Sequence, residues 1–317
     1  MHGPSARGLI AIGGSDAVSF LQGILTNDIQ HLEAGAACYS AYLTPQGRML
    51  ADMNVLRRED EVLLDVEPGV REELVRRLDQ SLFAEDVRIA DRSGDFRAIA
   101  ICGPAAAAAL TSALKRLLPA PPASPATDRH VTMRIDGAEL IVLGTDRTGA
   151  GGFHLLGAPL LVASLVDSLL AAGVEPLGSQ AAESLRIEAG IPRFGDDMTE
   201  DTIPLEAGIE GRAISMTKGC YVGQEVIVRI LHRGHGRVAK RLVGLRAGTD
   251  AAPPPGTRLQ FDGREVGSVT SSVVSPRLGP IALGYVHRDF TEPGTRLAMA
   301  GGADGPVTVT SLPFGEA

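Results

Sequence analysis

The residues best suited to chemistry lie in one eight-residue stretch, 218–225, with the sequence KGCYVGQE. Its two glycines favour a tight turn, because glycine adopts positive φ without steric cost. Such a turn would hold Cys220 outside regular structure and beside the cation of Lys218. A nearby cation lowers the pKa of a thiol and so favours the reactive thiolate. A strand over 226–230 would follow. The alternative to a reactive thiolate is a glycine-bounded hairpin in which Cys220 is a small buried apolar residue.

A second candidate is Asp52, an acid inside the apolar strand predicted over 49–56. A buried carboxylate without a partner is costly, so Asp52 should be hydrogen-bonded or face a cavity. The alternative is an edge-strand residue that points to water.

A third candidate is the pair Arg186 and Glu188, which flank an apolar residue near the end of a helix predicted over 179–190. A loop rich in glycine and proline follows this helix. The alternative to a functional role for this pair is an ordinary helix end with surface salt bridges.

The segment 229–241 is basic, with four arginines at 229, 233, 237 and 241 and Lys240, and it contains His232 and His235. It stands out because the whole chain has 30 Lys and Arg against 38 Asp and Glu, a formal net charge of −8. Contact with an anion, such as a folate tail, a phosphate or tRNA, and a plain solvated loop are equally open. The two histidines have no cysteine partners nearby, so no metal site is expected.

The composition, 317 residues of which 44% are hydrophobic and 21% charged, is that of a soluble chain with two or three domains. An acidic balance argues against general nucleic-acid binding by bulk charge. Three scattered cysteines, Cys38, Cys102 and Cys220, argue against a disulfide framework or a zinc site and fit a reducing compartment. No secretion signal and no membrane-spanning apolar run is evident. A cytoplasmic protein without a membrane partner is therefore expected.

The coarse element pattern predicts an α+β protein with a β-rich end. The first 92 residues alternate apolar strands with two helices, and residues 93–178 follow a strand–helix–strand–strand–helix order typical of ferredoxin-like units. From residue 239, short strands separated by glycine and proline turns predict a small antiparallel barrel.

The stretch KGCYVGQE resembles the signature of the YgfZ family, folate-binding proteins that help to maintain iron–sulfur enzymes and are relatives of the glycine-cleavage T protein. Two further segments are similar to both families: residues 20–29, and the motif Arg-x-Glu-x-Gly-x-Pro-x-Phe-Gly-x-Asp at 186–197. The resemblance covers nearly the whole chain. It implies a T-protein-like three-domain arrangement with ferredoxin-like α+β units and a C-terminal antiparallel β-barrel. The implied domains are 1–92 plus 179–235 around a folate pocket, 93–178, and 236–317.

The resemblance also implies tetrahydrofolate, or a one-carbon-substituted form of it, as the cofactor. In the T protein the Glu of the second motif binds the pterin ring, and this Glu corresponds to Glu188. A carboxylate suits that role because a pterin offers a fork of N–H donors. The other residues that the resemblance assigns to folate binding are Asn27, Arg186, Lys218, Tyr221 and Arg229.

On this basis the expected function is folate binding that supports the assembly or repair of iron–sulfur enzymes, with Cys220 as the key residue and iron–sulfur assembly or client proteins as partners. The alternative is a folate-dependent aminomethyl or methyl transferase of T-protein type, in which Asp52 would be catalytic. The T protein carries two adjacent acids here, and this chain has Ala51 before Asp52. That departure favours an accessory protein over an enzyme.

Overall fold

The computed structural model describes residues 1–234, 236–300 and 305–315. The chain divides into two compact units. The first unit comprises Met1–Leu43, Leu50–Ser179 and Arg212–Val222, and the second comprises Thr44–Met49, Gln180–Gly211 and Gly223–Ala317. Each unit is described by itself. The three-part division predicted from the sequence stays a prediction.

The first unit contains ten strands and four long helices among its described residues. The strands are β1 His2–Ser5, β2 Gly8–Gly13, β3 Ala37–Leu43, β4 Met49–Arg57, β5 Glu61–Val66, β6 Arg88–Asp91, β7 Arg97–Cys102, β8 His130–Ile135, β9 Ala138–Gly144 and β10 Gly152–Gly157. The helices are α1 Ala17–Ile24, α2 Arg71–Gln80, α3 Ala106–Leu117 and α4 Pro159–Ala171.

These strands form two five-stranded sheets, ordered β3-β4-β5-β2-β6 and β1-β7-β10-β9-β8. In the first sheet, the chain order β2-α1-β4-β5-α2-β6 with the spatial order β4-β5-β2-β6 is ferredoxin-like, and β3 is added at one edge. In the second sheet, the N-terminal strand β1 takes the place of the last ferredoxin strand. The predicted ferredoxin-like units are thus confirmed, although β1 was missed because Pro4 lies within it.

Both faces of the first sheet are covered, which explains the unbroken apolar run of β2. Ile10 and Ile12 pack with α1 and α2, whereas Leu9 and Ala11 pack in a cluster with residues of the second sheet, including Ile141 and Leu156. Successive strand residues point to opposite faces, so a strand between two apolar layers needs apolar residues throughout. The layer between the two sheets also holds the polar cluster described below.

The second unit contains a closed six-stranded antiparallel barrel, as predicted from the short strands and turns. Its strands are β11 Lys240–Ala247, β12 Arg258–Phe261, β13 Arg264–Ser275, β14 Gly279–His287, β15 Arg296–Met299 and β16 Val307–Thr310. They close in the order β11-β14-β13-β12-β15-β16. The sequence did not predict the four-residue β15, because so short a run leaves little alternation to read.

The segments before the barrel contain four further helices, α5 Ser179–Glu188, α6 Pro204–Ala207, α7 Glu210–Ala213 and α8 Gln224–His232. Helix α8 shows that the strand predicted over 226–230 is wrong. The β-branched residues suggested a strand, but Glu225 in the first turn and Arg229 and His232 in the last turn complement the helix dipole. Within the described residues, no helix is both long and apolar enough to cross a membrane.

Candidate functional site

Asp52 lies on β4 and accepts a hydrogen bond from the Tyr39 hydroxyl on the neighbouring strand β3, with 2.6 Å between the oxygens. The carboxyl group therefore has the partner that a half-buried acid requires. Burial raises the pKa of Asp52, and the Tyr39 hydrogen bond opposes that rise. Burial and the neighbouring Asp52 also raise the pKa of Tyr39, so the phenol stays a protonated donor at neutral pH. In this pair the carboxyl group of Asp52 has a raised affinity for a proton and the phenol of Tyr39 holds it in place.

A network of alternating charges continues from this pair. Arg7 donates from Nε to Oδ1 of Asp65 at 2.7 Å and from Nη1 to Glu67. Arg147 donates from Nη2 to Oε1 of Glu67 at 2.9 Å. Glu67 raises the pKa of Asp52, while Arg7 and Arg147 lower it. The network therefore lies within electrostatic reach of Asp52 and sets its proton affinity.

Asp65 is the buried centre of this network. Asn54 donates to its Oδ2 at 3.0 Å, and Nδ1 of His154 lies 3.3 Å from the same oxygen. Burial alone would raise the pKa of Asp65, but the charge of Arg7 holds it well below the usual range. Burial lowers the pKa of His154 despite Asp65, so the imidazole is neutral at pH 7. His154 is thus a buried residue of β10.

Asn27 positions two groups of the site from the turn after α1. Its Nδ2 donates to the backbone oxygen of Tyr39 at 2.8 Å and to that of Arg212 at 3.0 Å. The guanidinium carbon of Arg212 lies 4.1 Å from the centroid of the Tyr39 ring. Both amide hydrogens of Asn27 are thus used on backbone and hold Tyr39 and Arg212 in place, and its predicted role in folate binding stays a prediction.

Lys218 fastens the KGCYVGQE stretch to the end of α1. Its Nζ donates to the backbone oxygens of Gln22 at 2.7 Å, Leu25 at 2.6 Å and Asn27 at 2.8 Å. An ammonium group has three N–H donors, so all of them are engaged. Burial lowers the pKa of Lys218 to about 8. The structure places the ammonium group of Lys218 on the protein backbone, and its predicted role in folate binding stays a prediction.

Cys220 is exposed in an irregular segment between Lys218 and α8. Only one of the two glycines predicted to make the turn has positive φ: Gly223, at 84°, immediately before α8. Burial raises the pKa of the Cys38 thiol to about 12, although the charge of Lys218 lowers it. Tyr221 is buried, and its ring centroid lies 5.2 Å from Nζ of Lys218.

In the second unit, Glu188 at the end of α5 is buried and its carboxylate is hydrogen-bonded within that unit. Its carboxylate accepts from the Ser275 hydroxyl at 2.5 Å, from the Ser184 hydroxyl at 3.2 Å and from Nη2 of Arg277 at 3.0 Å. These partners lie on α5, on β13 and just after it. These contacts use part of the hydrogen-bonding capacity of the carboxylate, and the predicted role of Glu188 in folate binding stays a prediction.

Arg186 is equally engaged. It donates from Nη1 to Oδ2 of Asp197 at 2.6 Å, from Nη2 to the Ser271 hydroxyl at 2.9 Å and from Nε to Glu183 at 3.0 Å. Burial would lower the pKa of Arg186, but the Glu183 and Asp197 carboxylates raise it above the ordinary value. Its contacts tie α5 and the following loop to the barrel.

The predicted basic patch also belongs to the second unit. Its exposed arginines within or close after α8 are Arg229, Arg233 and Arg237. Nζ of Lys240 lies 4.8 Å from the centroid of the Tyr285 ring. His235, part of the patch in the sequence, lies outside the described residues.

The predicted site residues thus fall into two groups. In the first unit are Asp52, Asn27, Lys218, Tyr221 and Cys220; in the second unit are Glu188, Arg186 and Arg229. Asp52, Asn27 and Lys218 are joined by the contacts above. In the parts of the chain that the structure describes, no group of three or more His, Cys, Asp or Glu side chains could hold a metal ion.

Sequence reasoning missed Tyr39, Arg7, Arg147 and Arg212. An aromatic with a polar tip in the strand beside Asp52 was the one available signal for Tyr39. The arginines gave no signal, because the partners of Arg7 and Arg147 lie 58 and 80 residues away in the chain.

Comparison of the chain with known proteins gives matches to two domain models and to a set of curated relatives. The family model for the GCVT N-terminal domain matches residues 4–218, and the model for the glycine cleavage T-protein C-terminal barrel domain matches residues 240–315. An aminomethyltransferase of Rubrobacter xylanophilus is 32% identical over 318 residues, covering 98% of this chain and 81% of the relative. One from Nostoc sp. is 30% identical over 322 residues, covering 98% of this chain and 83% of the relative.

A solved structure shows the same likeness in three dimensions. The glycine cleavage system aminomethyltransferase T from Bartonella henselae superposes with a TM-score of 0.88 at 28% identity. The match covers 99% of this chain and 86% of the other.

Proposed function

Because the chain belongs to the glycine-cleavage T-protein family, we propose that it binds tetrahydrofolate at the Asp52 cluster and transfers an aminomethyl or methyl group to or from it. The observation that carries this proposal is the hydrogen bond from Tyr39 to a partly exposed Asp52 whose pKa is raised. The aminomethyltransferase relatives favour this transferase over the accessory role that the sequence analysis preferred.

The chemistry follows from the proton affinity of Asp52. Transfer of a one-carbon unit to a folate nitrogen needs a group that removes or supplies a proton there as the N–C bond forms or breaks. A carboxyl group whose pKa is raised above the usual value retains a proton more readily and so suits this role. Tyr39 fixes its orientation, and the charges of Glu67, Arg7 and Arg147 adjust its proton affinity. Tetrahydrofolate supplies the nitrogen and carries the one-carbon unit.

Calorimetry with tetrahydrofolate, followed by an aminomethyl- or methyl-donor turnover assay, tests the proposal. Wild type should bind and turn over, and Asp52→Asn should lose turnover by 10²-fold or more, the range for a lost acid–base group. Asp60→Asn, at an exposed turn between β4 and β5, is the matched control. Absence of folate binding by the wild type, or full turnover by Asp52→Asn, would refute it.

A specific observation favours a second candidate, a YgfZ-type role in the assembly or repair of iron–sulfur enzymes. Cys220 is exposed, in a segment that Lys218 fastens to α1, and it lies in the YgfZ-like stretch. A single thiolate cannot hold a cluster alone, since clusters normally take several. Cys220 would therefore act on an iron–sulfur assembly or client protein in the cytoplasm, with folate bound at Asp52.

Complementation in cells separates the two candidates. The second predicts that Cys220→Ser loses iron–sulfur enzyme activity while the fold and folate binding persist, whereas Cys102→Ser, also a free thiol, keeps that activity. Wild-type behaviour of Cys220→Ser would exclude the thiol-centred role.

The basic patch retains the proposal of an anion or tRNA contact. Arg229 lies in the last turn of α8 and Arg233 directly follows the helix, and both are exposed, so an anion could reach their charges. Gel-shift assays with tRNA on wild type and on Arg229→Glu/Arg233→Glu test the proposal, and equal mobility shifts would contradict it.

A further inference from the structure

Arg212 carries an exposed guanidinium group that is held in place without a carboxylate partner. The group stacks on the Tyr39 ring at 4.1 Å, and the backbone oxygen of Arg212 is fixed by Asn27. Within the described residues Arg212 forms no ion pair. Its charge acts on Asp128 from a distance: burial raises the pKa of Asp128, and the charge of Arg212 lowers it. Arg7, by contrast, is neutralised by two carboxylates of the network.

Stacking determines which part of the guanidinium is available. An arginine over an aromatic face keeps its planar N–H fork, and the fork matches a carboxylate with two parallel hydrogen bonds. A long exposed side chain normally samples many rotamers, and the Tyr39 ring restricts this one. The hydroxyl of the same ring donates to Asp52. Tyr39 therefore contacts Arg212 through its face and Asp52 through its hydroxyl.

We propose that Arg212 binds a carboxylate of the ligand whose reacting group meets Asp52, and so selects ligands that carry an anionic group. The inference rests on the proposed function, since it requires a ligand at Asp52. Two molecules of a one-carbon transfer carry such a carboxylate: the folate, in its glutamyl tail, and an amino-acid donor such as N-methylglycine. Both present the same chemistry to Arg212.

Two reduced pterins distinguish recognition of an anion from a purely structural role. Tetrahydrofolate has the carboxylate tail, and 6-methyltetrahydropterin has the same ring without it. Arg212→Gln should weaken tetrahydrofolate binding by roughly tenfold or more and leave 6-methyltetrahydropterin unchanged. Arg212→Lys should keep part of the affinity, because it retains the charge and loses the fork. Arg134→Gln, an exposed arginine of the same unit, is the control.

A second titration, of N-methylglycine onto the tetrahydrofolate complex, identifies the source of the carboxylate. Loss of N-methylglycine binding in Arg212→Gln with folate affinity intact would assign Arg212 to the donor. An equal loss of affinity for both pterins in Arg212→Gln would mean that Arg212 acts only by supporting Tyr39. Unchanged affinity for all three ligands would mean that Arg212 binds none of them. Either result overturns the inference. If the wild type bound no tetrahydrofolate, the proposed function would fail first and the inference with it.

Discussion

Removing the Tyr39 hydroxyl is the most direct perturbation of the proposed site. Tyr39→Phe deletes the donor to Oδ2 of Asp52 and keeps the ring under Arg212. That hydrogen bond stabilises the ionised carboxylate and opposes the effect of burial. Its loss should therefore raise the pKa of Asp52 further.

The size of the change follows from the strength of the bond. A hydrogen bond to a charged group contributes about 1.5–3 kcal/mol, and one pKa unit corresponds to about 1.4 kcal/mol. Asp52 is only partly buried, and solvent takes over part of the lost stabilisation. We therefore expect the pKa of Asp52 to rise by about one unit in Tyr39→Phe.

The sign of the effect on stability is also fixed. The folded-state pKa of Asp52 lies above its unfolded value, so the fold favours the protonated acid. Its contribution to stability is complete below the unfolded pKa and is lost as pH rises through the folded pKa. In Tyr39→Phe this loss should move to higher pH.

Carbon-13 NMR titration of aspartate carboxyl groups measures the pKa directly, with Asp52→Asn to assign the resonance. Tyr42→Phe, which removes a hydroxyl from the same strand, is the matched control and should leave Asp52 unchanged. An Asp52 pKa in Tyr39→Phe equal to or below that of the wild type would refute the reasoning.

Three further predictions concern stability and reactivity. Lys218→Met leaves three backbone oxygens without their donor and should lower the free energy of unfolding in urea by about 2–4 kcal/mol. Lys115→Met, at an exposed lysine, should change it little. Equal effects of the two substitutions would contradict a stabilising role of the Lys218 contacts. With iodoacetamide at pH 8, mass spectrometry should find Cys220 alkylated well before Cys38, whose pKa is about 12, and early labelling of Cys38 would contradict its burial. Glu188→Gln loses a buried charged contact and should cost about 1–2 kcal/mol in the same urea titration, so unchanged stability would contradict it.

The fold was largely predictable because its signals are local. Alternating strands, glycine turns and helices with apolar spacing lie in continuous segments, and they predicted both sheets and most of the barrel. Helix α8 was misread because Val226, Ile227 and Val228 favour strands intrinsically. The helix forms because Ile227 buries its side chain and the charges at its two ends suit the dipole.

The site was less predictable because its contacts are not local. Asp52 and Cys220 were singled out from one acid in an apolar strand and from a resemblance. For Lys218 the sequence suggested only a ligand role, since nothing in it reveals that three carbonyls converge on the ammonium across 191–196 residues of chain. Local spacing cannot specify such long-range geometry.

The alternation of β4 also changes the meaning of Ala51. Ala51 is buried and packs in the apolar cluster with Met53 and Val55, beneath α1 and α2. Asp52 points to the opposite face, toward Tyr39 and the charged network. An acid at position 51 would face the apolar cluster, where an unpaired carboxylate is costly. The absence of that acid therefore removes nothing from the face that carries Asp52, and it no longer argues against one-carbon transfer at this site.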